Sequence, residues 1–473
     1  MLLLSIPGLS RELLAFIPTG SRLGDLVARG VIASLVPSWP AVTCSVQATL
    51  TTGASPSVHG VVANGVATYR SQADARLVDA ANHGDYRREV SFWEQSNQFV
   101  GVPRFWRGDG GSQKPVRTAM LFFQHCMPGF SGTPAPAADI VLTPKPEHGP
   151  DGRTTSLLWS SPPGLAGELQ KDLGPFPLMN YWGPMAGIRS SAWIAAAAGR
   201  VLSRREAELV LTYVPHLDYD LQRFGPGSES AKAAVAELSG ALEGLLETAD
   251  GLGTEVVVLS EYAISEVSRA IAPNRALRDA GLLKLRRNAE GPQVDYAGSP
   301  GFVMCDHQIG HVYLRSEGDR AAVEGVVREL GLEVMGERGI AHPRGGDIQV
   351  QAPEGAWLDY RWWAEGATAE TDPEVVPKWA STIDIHRKPG YDPLELFFGG
   401  KPSPPPAPLP PIAWKSAMIK GSHGRSGVNG VLILPARFGV KPGEVVRAED
   451  FAAKVWGGSD REAEGKGTEA LRH

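Results

Sequence analysis

The stretch PSWPAVTCSVQATLTTG, from Pro37 to Gly53, has residue types suited to nucleophilic chemistry. It is rich in hydroxyl side chains, includes Cys44 and contains no charged residue. Thr43 stands just before a segment that can begin a helix, where a phosphate would meet free N–H groups and the positive end of the helix dipole. Asn64, a neutral donor, follows shortly. A threonine in such a loop also commonly caps a helix or bonds the backbone, so Thr43 is a candidate nucleophile that needs support from its surroundings.

Short apolar runs bounded by turn residues alternate with segments of helical period, such as Ser230 to Asp250. The runs are Leu2 to Ile6, Val31 to Val36, Ala119 to Phe123, Ile140 to Leu142, Leu209 to Val214, Val256 to Leu259 and Gly430 to Leu434. This alternation predicts an α/β fold with a largely parallel central sheet flanked by helices. The chemistry of such sheets lies in the loops beyond the carboxyl ends of the strands, which are here Pro7, Thr43, the stretch PHLDYDLQRFGP and the dipeptide Glu261-Tyr262.

A different pattern covers residues 265–382. The stretch HVYLRSEGDRAAVEGVVRELG indicates a strand, an acidic turn and an amphipathic helix, and GDIQVQAPEGAWLDYRWW returns to strand-like alternation. We therefore predict a smaller α+β lobe at 265–382, inserted into a main domain formed by 1–264 and 383–456. Residues 457–473 are expected to form a polar tail.

Composition excludes several classes of function. The 473-residue chain has 46 Lys and Arg against 52 Asp and Glu, for a net charge of -6, and shows no basic cluster. This argues against binding to a nucleic-acid duplex or a membrane surface. Three widely spaced cysteines do not form a disulfide framework pattern, and the opening MLLLSIPGLS is too short for a membrane span or a signal peptide. We expect a cytoplasmic protein.

The order of several motifs resembles the nucleotide pyrophosphatase/phosphodiesterase branch of the alkaline phosphatase superfamily. Thr43 with Gly53, then SPSVHG, then Asn64 follow the family's order. The stretch LVLTYVPHLDYDLQRFGP resembles its Asp-x-x-x-His metal motif, VVVLSEYAIS its Ser-Asp-His-Gly turn and GSHG at 421–424 its late histidine ligand. The stretch KPGYDPLELFFG is typical of bacterial members. The resemblance implies an alkaline-phosphatase-like main domain, in which Thr43 attacks phosphorus and Asn64 holds a phosphoryl oxygen.

The resemblance also implies metal ligands, with substitutions at several positions. Asp218 and His423 match the family strictly. Pro7 replaces an aspartate, Gln222 replaces a histidine, and Glu261-Tyr262 replaces an Asp-His pair. Two divalent cations would activate the nucleophile and stabilise the leaving group in such enzymes.

With these substitutions, we expect a single divalent ion (Zn, Mn or Mg), and a second ion is doubtful. The ligands of the expected ion would be Asp218, Glu261 and His423, with the amide oxygen of Gln222 as a further candidate. Tyr262 and His216 are candidates for the substrate pocket.

The resulting prediction is a metal-dependent hydrolase of a small phosphorylated substrate, a diester or pyrophosphate rather than a monoester, acting through a phosphothreonine intermediate. Two alternatives remain open on the same residues. One is a metal-poor hydrolase or a phosphoryl transferase, with Tyr262 or His216 assisting Thr43. The other is a catalytically inactive protein that binds an anionic ligand.

Overall fold

The computed structural model describes residues 1–71, 89–108, 114–129, 132, 134–148, 154–155, 157–400 and 411–456. The tail expected at 457–473 lies outside these residues. None of the described helices combines the length and apolar composition needed to cross a membrane.

The α-helices in the described part of the chain are α1 (Arg22–Arg29), α2 (Thr43–Thr52), α3 (Pro56–His59), α4 (Leu165–Leu173), α5 (Ile188–Ser203), α6 (His216–Phe224), α7 (Glu229–Gly251), α8 (Pro273–Asp279), α9 (Arg320–Glu329) and α10 (Ala448–Val455). The strands there are β1 (Leu2–Ser5), β2 (Val31–Val36), β3 (Gly65–Val66), β4 (Ser91–Phe92), β5 (Thr118–Leu121), β6 (Ile140–Pro144), β7 (Glu147–His148), β8 (Thr154–Thr155), β9 (Leu158–Ser161), β10 (Leu209–Tyr213), β11 (Val256–Leu259), β12 (Ser265–Glu266), β13 (Arg269–Ile271), β14 (Leu285–Asn288), β15 (Gly291–Val294), β16 (Gly301–Asp306), β17 (Ile309–Leu314), β18 (Glu333–Val334), β19 (Ile348–Gln351), β20 (Ala356–Leu358), β21 (Gly421–Ser422), β22 (Gly430–Leu434) and β23 (Val445–Arg447).

The central sheet has the strand order β23-β2-β22-β11-β1-β10-β5-β6-β9. The five middle strands β11, β1, β10, β5 and β6 run parallel to one another, while β22 pairs antiparallel with β11 and β2, and β9 pairs antiparallel with β6. Continuous apolar runs form these strands because helices cover both faces of a parallel sheet, and the residues of β1, β10 and β11 are all buried. The predicted α/β fold with a largely parallel sheet is confirmed.

A second, smaller sheet lies within the segment predicted to be a lobe. Its order is β16-β17-β19-β18, and the neighbouring strands pair antiparallel. Asp306 and Ile309 pair across the β16–β17 hairpin, so His307 and Gln308 form its turn. A separate hydrophobic cluster surrounds this sheet and includes Trp362, Trp363 and Trp379. It also includes Val42, directly before Thr43, so this core reaches the start of α2.

Candidate active site

The central strands place the candidate residues at one edge of the sheet. Because β10, β1 and β11 are adjacent and parallel, their carboxyl ends meet there. Asp218 follows β10 in the first turns of α6, and Glu261 and Tyr262 follow β11. The bridge between Gly8 and Ala263 extends the β1–β11 pairing past both strands. The loops that the sequence singled out therefore lie side by side.

Helix α2 presents Thr43 at its first position. The helix ends at Gly53, whose left-handed φ of 70° closes it with a bond from its N–H to the Thr49 carbonyl. The hydroxyls of Thr49, Thr51 and Thr52 each donate to the carbonyl four residues earlier, which satisfies them inside a buried helix. Thr43 has no preceding helical turn to bond, so its hydroxyl is available to another partner.

That partner is Tyr262. The Oγ1 of Thr43 lies 2.8 Å from the Tyr262 hydroxyl, and both side chains are buried. The Tyr262 ring stacks on the His423 imidazole, with centroids 3.7 Å apart and planes inclined by 9°. The stack fixes the tyrosine hydroxyl against Thr43, so the candidate nucleophile and the late histidine belong to one cluster.

Asp218 and Gln222 lie one turn apart on α6. The Gln222 amide nitrogen donates to Asp218 Oδ2 at 2.9 Å, and its oxygen accepts from the Tyr391 hydroxyl at 2.8 Å. In this arrangement Gln222 orients Asp218. The second carboxylate oxygen, Oδ1, is buried and has no hydrogen-bond partner.

His423 faces that second oxygen. Its Nδ1 lies 2.8 Å from the carbonyl oxygen of Ala41, and since a carbonyl only accepts, Nδ1 carries the proton and Nε2 has a free lone pair. Nε2 lies 3.7 Å from Asp218 Oδ1, and it too is buried without a hydrogen-bond partner. Gly421 permits this approach, because a Cβ there would lie 2.3 Å from the carbonyl oxygen of Leu221 on α6. Two acceptors thus face each other with no donor between them.

Glu261 lies behind this pair. Its Oε1 accepts from the Ser5 hydroxyl at 2.6 Å and from the Gln47 amide at 2.7 Å. Its Oε2 is buried and has no hydrogen-bond partner. The structure therefore anchors one oxygen of Glu261 through the end of β1 and through α2, and leaves the other unpaired.

Asn64 is held beside the start of α2. Its Oδ1 accepts from the N–H of Cys44 at 2.9 Å. Its Nδ2 donates to Asp306 at 3.1 Å, and its main-chain N–H donates to the same carboxylate at 2.8 Å. The neighbouring strand β4, from the segment 89–97, pairs with β3 and brings Trp93 against Asn64 by a backbone bond of 2.9 Å.

The electrostatics of this cluster are dominated by buried carboxylates. Burial raises the pKa of Glu261 to about 8, despite hydrogen bonds from Ser5 and Gln47 that favour the ionised form. Burial also raises the pKa of Asp218 to about 7, although hydrogen bonds from the Gln222 amide and the Tyr262 hydroxyl act to lower it. Burial keeps the pKa of His423 well below its usual range, so the imidazole is neutral. No described lysine or arginine forms an ion pair with Asp218 or Glu261. The site is acidic and uncompensated by protein cations.

Such a set of donors fits a divalent cation. Ligand bonds of about 2.0–2.2 Å place two ligand atoms on one ion roughly 3–4 Å apart, which is the separation of Asp218 Oδ1 and His423 Nε2. Ligand histidines usually donate their other ring N–H to a carbonyl, as His423 does to Ala41. Within the described ranges no three His, Cys, Asp or Glu side chains are gathered as a complete metal centre. The fit therefore rests on this pair, with the unpaired oxygen of Glu261 as the next candidate.

His216 lies apart from these residues. It begins α6 two positions before Asp218, which places it on the opposite face of the helix, 3.4 Å from Glu237 of α7 and 3.9 Å from Asp220. The structure brings together Thr43, Tyr262, His423, Asp218 and Gln222 through successive contacts, with Glu261 and Asn64 adjoining them.

Sequence reasoning missed two contributors, the hairpin turn at Asp306-His307 and the aromatic residue Tyr391. The His307 ring lies between Tyr391 and His423, at centroid distances of 3.5 and 3.8 Å. An acidic residue at a hairpin turn is normally solvated, so the sequence carries no sign that this turn points inward. In the structure, His307 also has a left-handed φ of 58°, which is uncommon for a residue other than glycine.

Comparison with known proteins identifies the family and the fold. The model of a family described as type I phosphodiesterase / nucleotide pyrophosphatase matches residues 1–392. No curated protein matches the chain.

Several solved structures share the fold over nearly the whole chain. Phosphonoacetate hydrolase from Sinorhizobium meliloti 1021, in complex with phosphonoformate, has a TM-score of 0.54 at 15% identity, over 96% of this chain and 94% of its own. An inactive variant of murine ectonucleotide pyrophosphatase / phosphodiesterase 5, in complex with AMP, has a TM-score of 0.55 at 12% identity, over 97% and 94%. The human protein of the same name has a TM-score of 0.54 at 14% identity, over 96% and 93%.

Proposed function

We propose, from the premise that this chain belongs to the type I phosphodiesterase / nucleotide pyrophosphatase family of the alkaline phosphatase superfamily, that it hydrolyses phosphate esters with Thr43 as nucleophile. The substrate is a small diester or pyrophosphate. The observation that carries the proposal is the contact series from Thr43 through Tyr262 and His423 to Asp218, which joins a helix-start hydroxyl to two unpaired acceptors.

The chain's own groups position the ester. First-turn N–H groups of α2 and its dipole favour a phosphoryl group in front of Thr43. Asn64 has one Nδ2 hydrogen left after its bond to Asp306, and this donor holds a phosphoryl oxygen. Tyr262 holds the Thr43 hydroxyl in place.

The reaction has two displacements at phosphorus. In the first, Thr43 Oγ1 forms a bond to phosphorus, the bond from phosphorus to the leaving oxygen breaks, and the proton lost by the Thr43 hydroxyl is balanced by the one that the leaving oxygen takes up. In the second, a water oxygen forms a bond to phosphorus, the bond from phosphorus to Oγ1 breaks, and the proton lost by the water is balanced by the one that Oγ1 regains.

Asp218 and His423 would hold one divalent cation (Zn, Mn or Mg), with Glu261 as a further ligand. When bound, such an ion neutralises charge on phosphoryl oxygens and lowers the pKa of a bound water. The acidic character of the site supports this assignment, because no described lysine or arginine pairs with Asp218 or Glu261 to offset their charge beside an anionic ester. The proposal includes a cytoplasmic location, which is supported by the three unpaired, buried cysteines.

The test measures turnover of bis-p-nitrophenyl phosphate by the purified protein with added Mn, Zn or Mg, together with its metal content. Thr43→Ala should abolish turnover, and acid-quenched wild type should carry a phosphoryl adduct on the peptide containing Thr43. Thr52→Ala is the matched control, because its hydroxyl on the same helix bonds only backbone groups: it donates to the carbonyl of Ala48 and accepts from the N–H of Ala54. Undiminished turnover in Thr43→Ala refutes the proposal.

A second candidate is a protein that binds an anionic ligand without turnover. The hydrogen bond between the hydroxyls of Tyr262 and Thr43 favours this candidate, because it engages the hydroxyl that would otherwise attack phosphorus. Tight binding of AMP with no hydrolysis under any of the three metals would assign this function. A phosphoryl transferase would form product only when an acceptor alcohol is supplied.

A further inference from the structure

The turn between β16 and β17 reaches from the smaller sheet into the candidate site. We infer that Asp306, the last residue of β16 before this turn, is a positioning residue, which aims the Asn64 amide at the phosphoryl oxygen. The inference rests on the proposed function, because it needs Asn64 to bind that oxygen. It assigns a role in the reaction to a residue 242 positions along the chain from Asn64.

Asp306 grips Asn64 at two points. Oδ2 accepts the main-chain N–H of Asn64 at 2.8 Å, and Oδ1 accepts its Nδ2 at 3.1 Å. Asp306 is fully buried, and its third partner is the Nδ1 of His307, 2.7 Å from Oδ1. One carboxylate thus fixes both the backbone and the side chain of Asn64.

These bonds also decide which way the amide faces. A carboxylate only accepts, so the group facing Asp306 must be Nδ2, while the N–H of Cys44 only donates and must face Oδ1. The plane and the direction of the amide are therefore set from both ends. One Nδ2 hydrogen and one Oδ1 lone pair remain, and only the hydrogen can bind a phosphoryl oxygen.

The turn that carries Asp306 is itself firmly held. The carbonyl of His307 accepts the N–H of Leu358 at 2.7 Å, and the N–H of Gln308 donates to the carbonyl of His423 at 2.9 Å. The His307 ring is stacked on Tyr391, and its left-handed φ of 58° is sustained by these contacts. Asp306 is consequently a fixed reference for Asn64, linked to the strand end that carries His423.

The cost of this arrangement argues that it serves more than folding. A buried carboxylate is expensive unless a cation or several donors compensate it, and no described lysine or arginine pairs with Asp306. A neutral side chain could tie the turn to Asn64 more cheaply. The carboxylate alone accepts both Asn64 donors at once, and that is the property that a fixed amide orientation requires.

The test is a double-mutant cycle with Asp306→Asn and Asn64→Ala, assayed on bis-p-nitrophenyl phosphate. Asp306→Asn turns one acceptor into a donor, so it should rotate Asn64 and lower kcat about 10- to 100-fold while KM stays within about threefold. In the Asn64→Ala background the same substitution should have no further effect on kcat. Asp359→Asn, a half-buried carboxylate of the same region that bonds Arg361, is the control and should leave kcat unchanged.

Independent losses in the cycle, or a loss confined to KM, would overturn the inference. If Asp306→Asn does not fold, as judged by thermal unfolding, the cycle is run with Asp306→Glu, for which the same coupling is expected. If the wild type has no turnover, the cycle is measured on the dissociation constant of orthovanadate, and additivity there also overturns it. The proposed function fails separately, through unchanged turnover in Thr43→Ala or in Asn64→Ala.

Discussion

Two pairs of buried carboxylates, Asp392 with Glu395 and Asp218 with Glu261, differ in how many of their oxygens have a hydrogen-bond or ion-pair partner. Asp392 and Glu395 have a partner for every oxygen: Lys388 lies 2.8 Å from Asp392 and 2.7 Å from Glu395, and Arg361 lies 2.7 Å from Asp392. The remaining oxygen of Glu395 accepts the indole N–H of Trp182. Asp218 and Glu261 are also buried, yet each has one oxygen without a hydrogen-bond partner, and no described lysine or arginine pairs with them.

The difference indicates that the Asp392 and Glu395 pair stabilises the fold, whereas the Asp218 and Glu261 pair leaves oxygens available to bind another group. A paired buried cluster loses stability when one member is removed, because an uncompensated charge remains. An unpaired buried acceptor costs stability from the start and persists only where something else makes use of it. Tyr391 links the two pairs, because it directly precedes Asp392 in the chain and its hydroxyl donates to Gln222, which in turn donates to Asp218.

The largest expected effect comes from Asp218→Asn. The new amide can donate to the free lone pair of His423 Nε2, so the metal-free variant should be more stable to unfolding than the wild type, by about 1–3 kcal/mol. Its turnover should fall about 10³-fold or more, and its melting temperature should no longer rise when divalent metal is added. Calorimetry with and without metal, beside a turnover assay, measures both.

If metal-free Asp218→Asn were less stable than the metal-free wild type, the unpaired oxygen of Asp218 would not be a source of instability, and the proposed difference between the two carboxylate pairs would be wrong. A retained metal-dependent rise in melting temperature would remove Asp218 from the ligand set.

Lys388→Met should act in the opposite sense. It leaves Asp392 and Glu395 with one cation fewer in a buried site, which should cost about 3–5 kcal/mol of unfolding free energy. Metal affinity of the folded protein should not change, because the cluster does not contact Asp218 or His423. Chemical denaturation measures the loss, and Lys388→Met with Glu395→Gln should recover part of it. A loss of metal affinity without a loss of stability would show that the two clusters are not separate.

The sequence predicts the central sheet and its strand ends because buried parallel strands leave unbroken apolar runs. For three strands the predicted run and the observed strand have identical bounds: Val31–Val36, Val256–Leu259 and Gly430–Leu434. Thr43, Asp218 and Glu261 follow from those strand ends, and His423 follows from a family motif.

Contributions from distant turns could not be predicted in this way. Asp306 and Tyr391 meet the site through contacts between segments far apart in the chain, which have no local pattern. His216 shows that closeness in the chain can mislead. Its position two residues before Asp218 predicts a place in the pocket, but a separation of two residues on a helix puts the two side chains on opposite faces.

His59 extends the comparison to a buried imidazole whose nitrogens are both paired. Nδ1 accepts the N–H of Val61 at 3.1 Å, and Nε2 lies 3.0 Å from the Thr49 hydroxyl. Burial lowers the pKa of His59 to about 3, so the folded protein resists protonation while the unfolded chain protonates near pH 6.5. The stability from His59 is therefore full above about pH 6.5 and is lost as pH falls toward 3, by about 2 kcal/mol at pH 5. His59→Asn should lack this slope in denaturation curves between pH 7 and 5, and an equal slope in both proteins would contradict the assignment.

The smallest expected effect is that of Tyr262→Phe, and it probes the boundary between the two kinds of cluster. The phenyl ring keeps the stack on His423, so metal content and folding should stay close to those of the wild type. The variant loses the bond to Thr43 Oγ1, a neutral hydrogen bond worth about 1 kcal/mol, and the interaction of the hydroxyl with Asp218, so kcat should fall about 5- to 10-fold while KM changes little. Steady-state kinetics with metal analysis distinguishes the outcomes. A rise in kcat would mean that the tyrosine restrains Thr43, which would favour the ligand-binding candidate over the hydrolase.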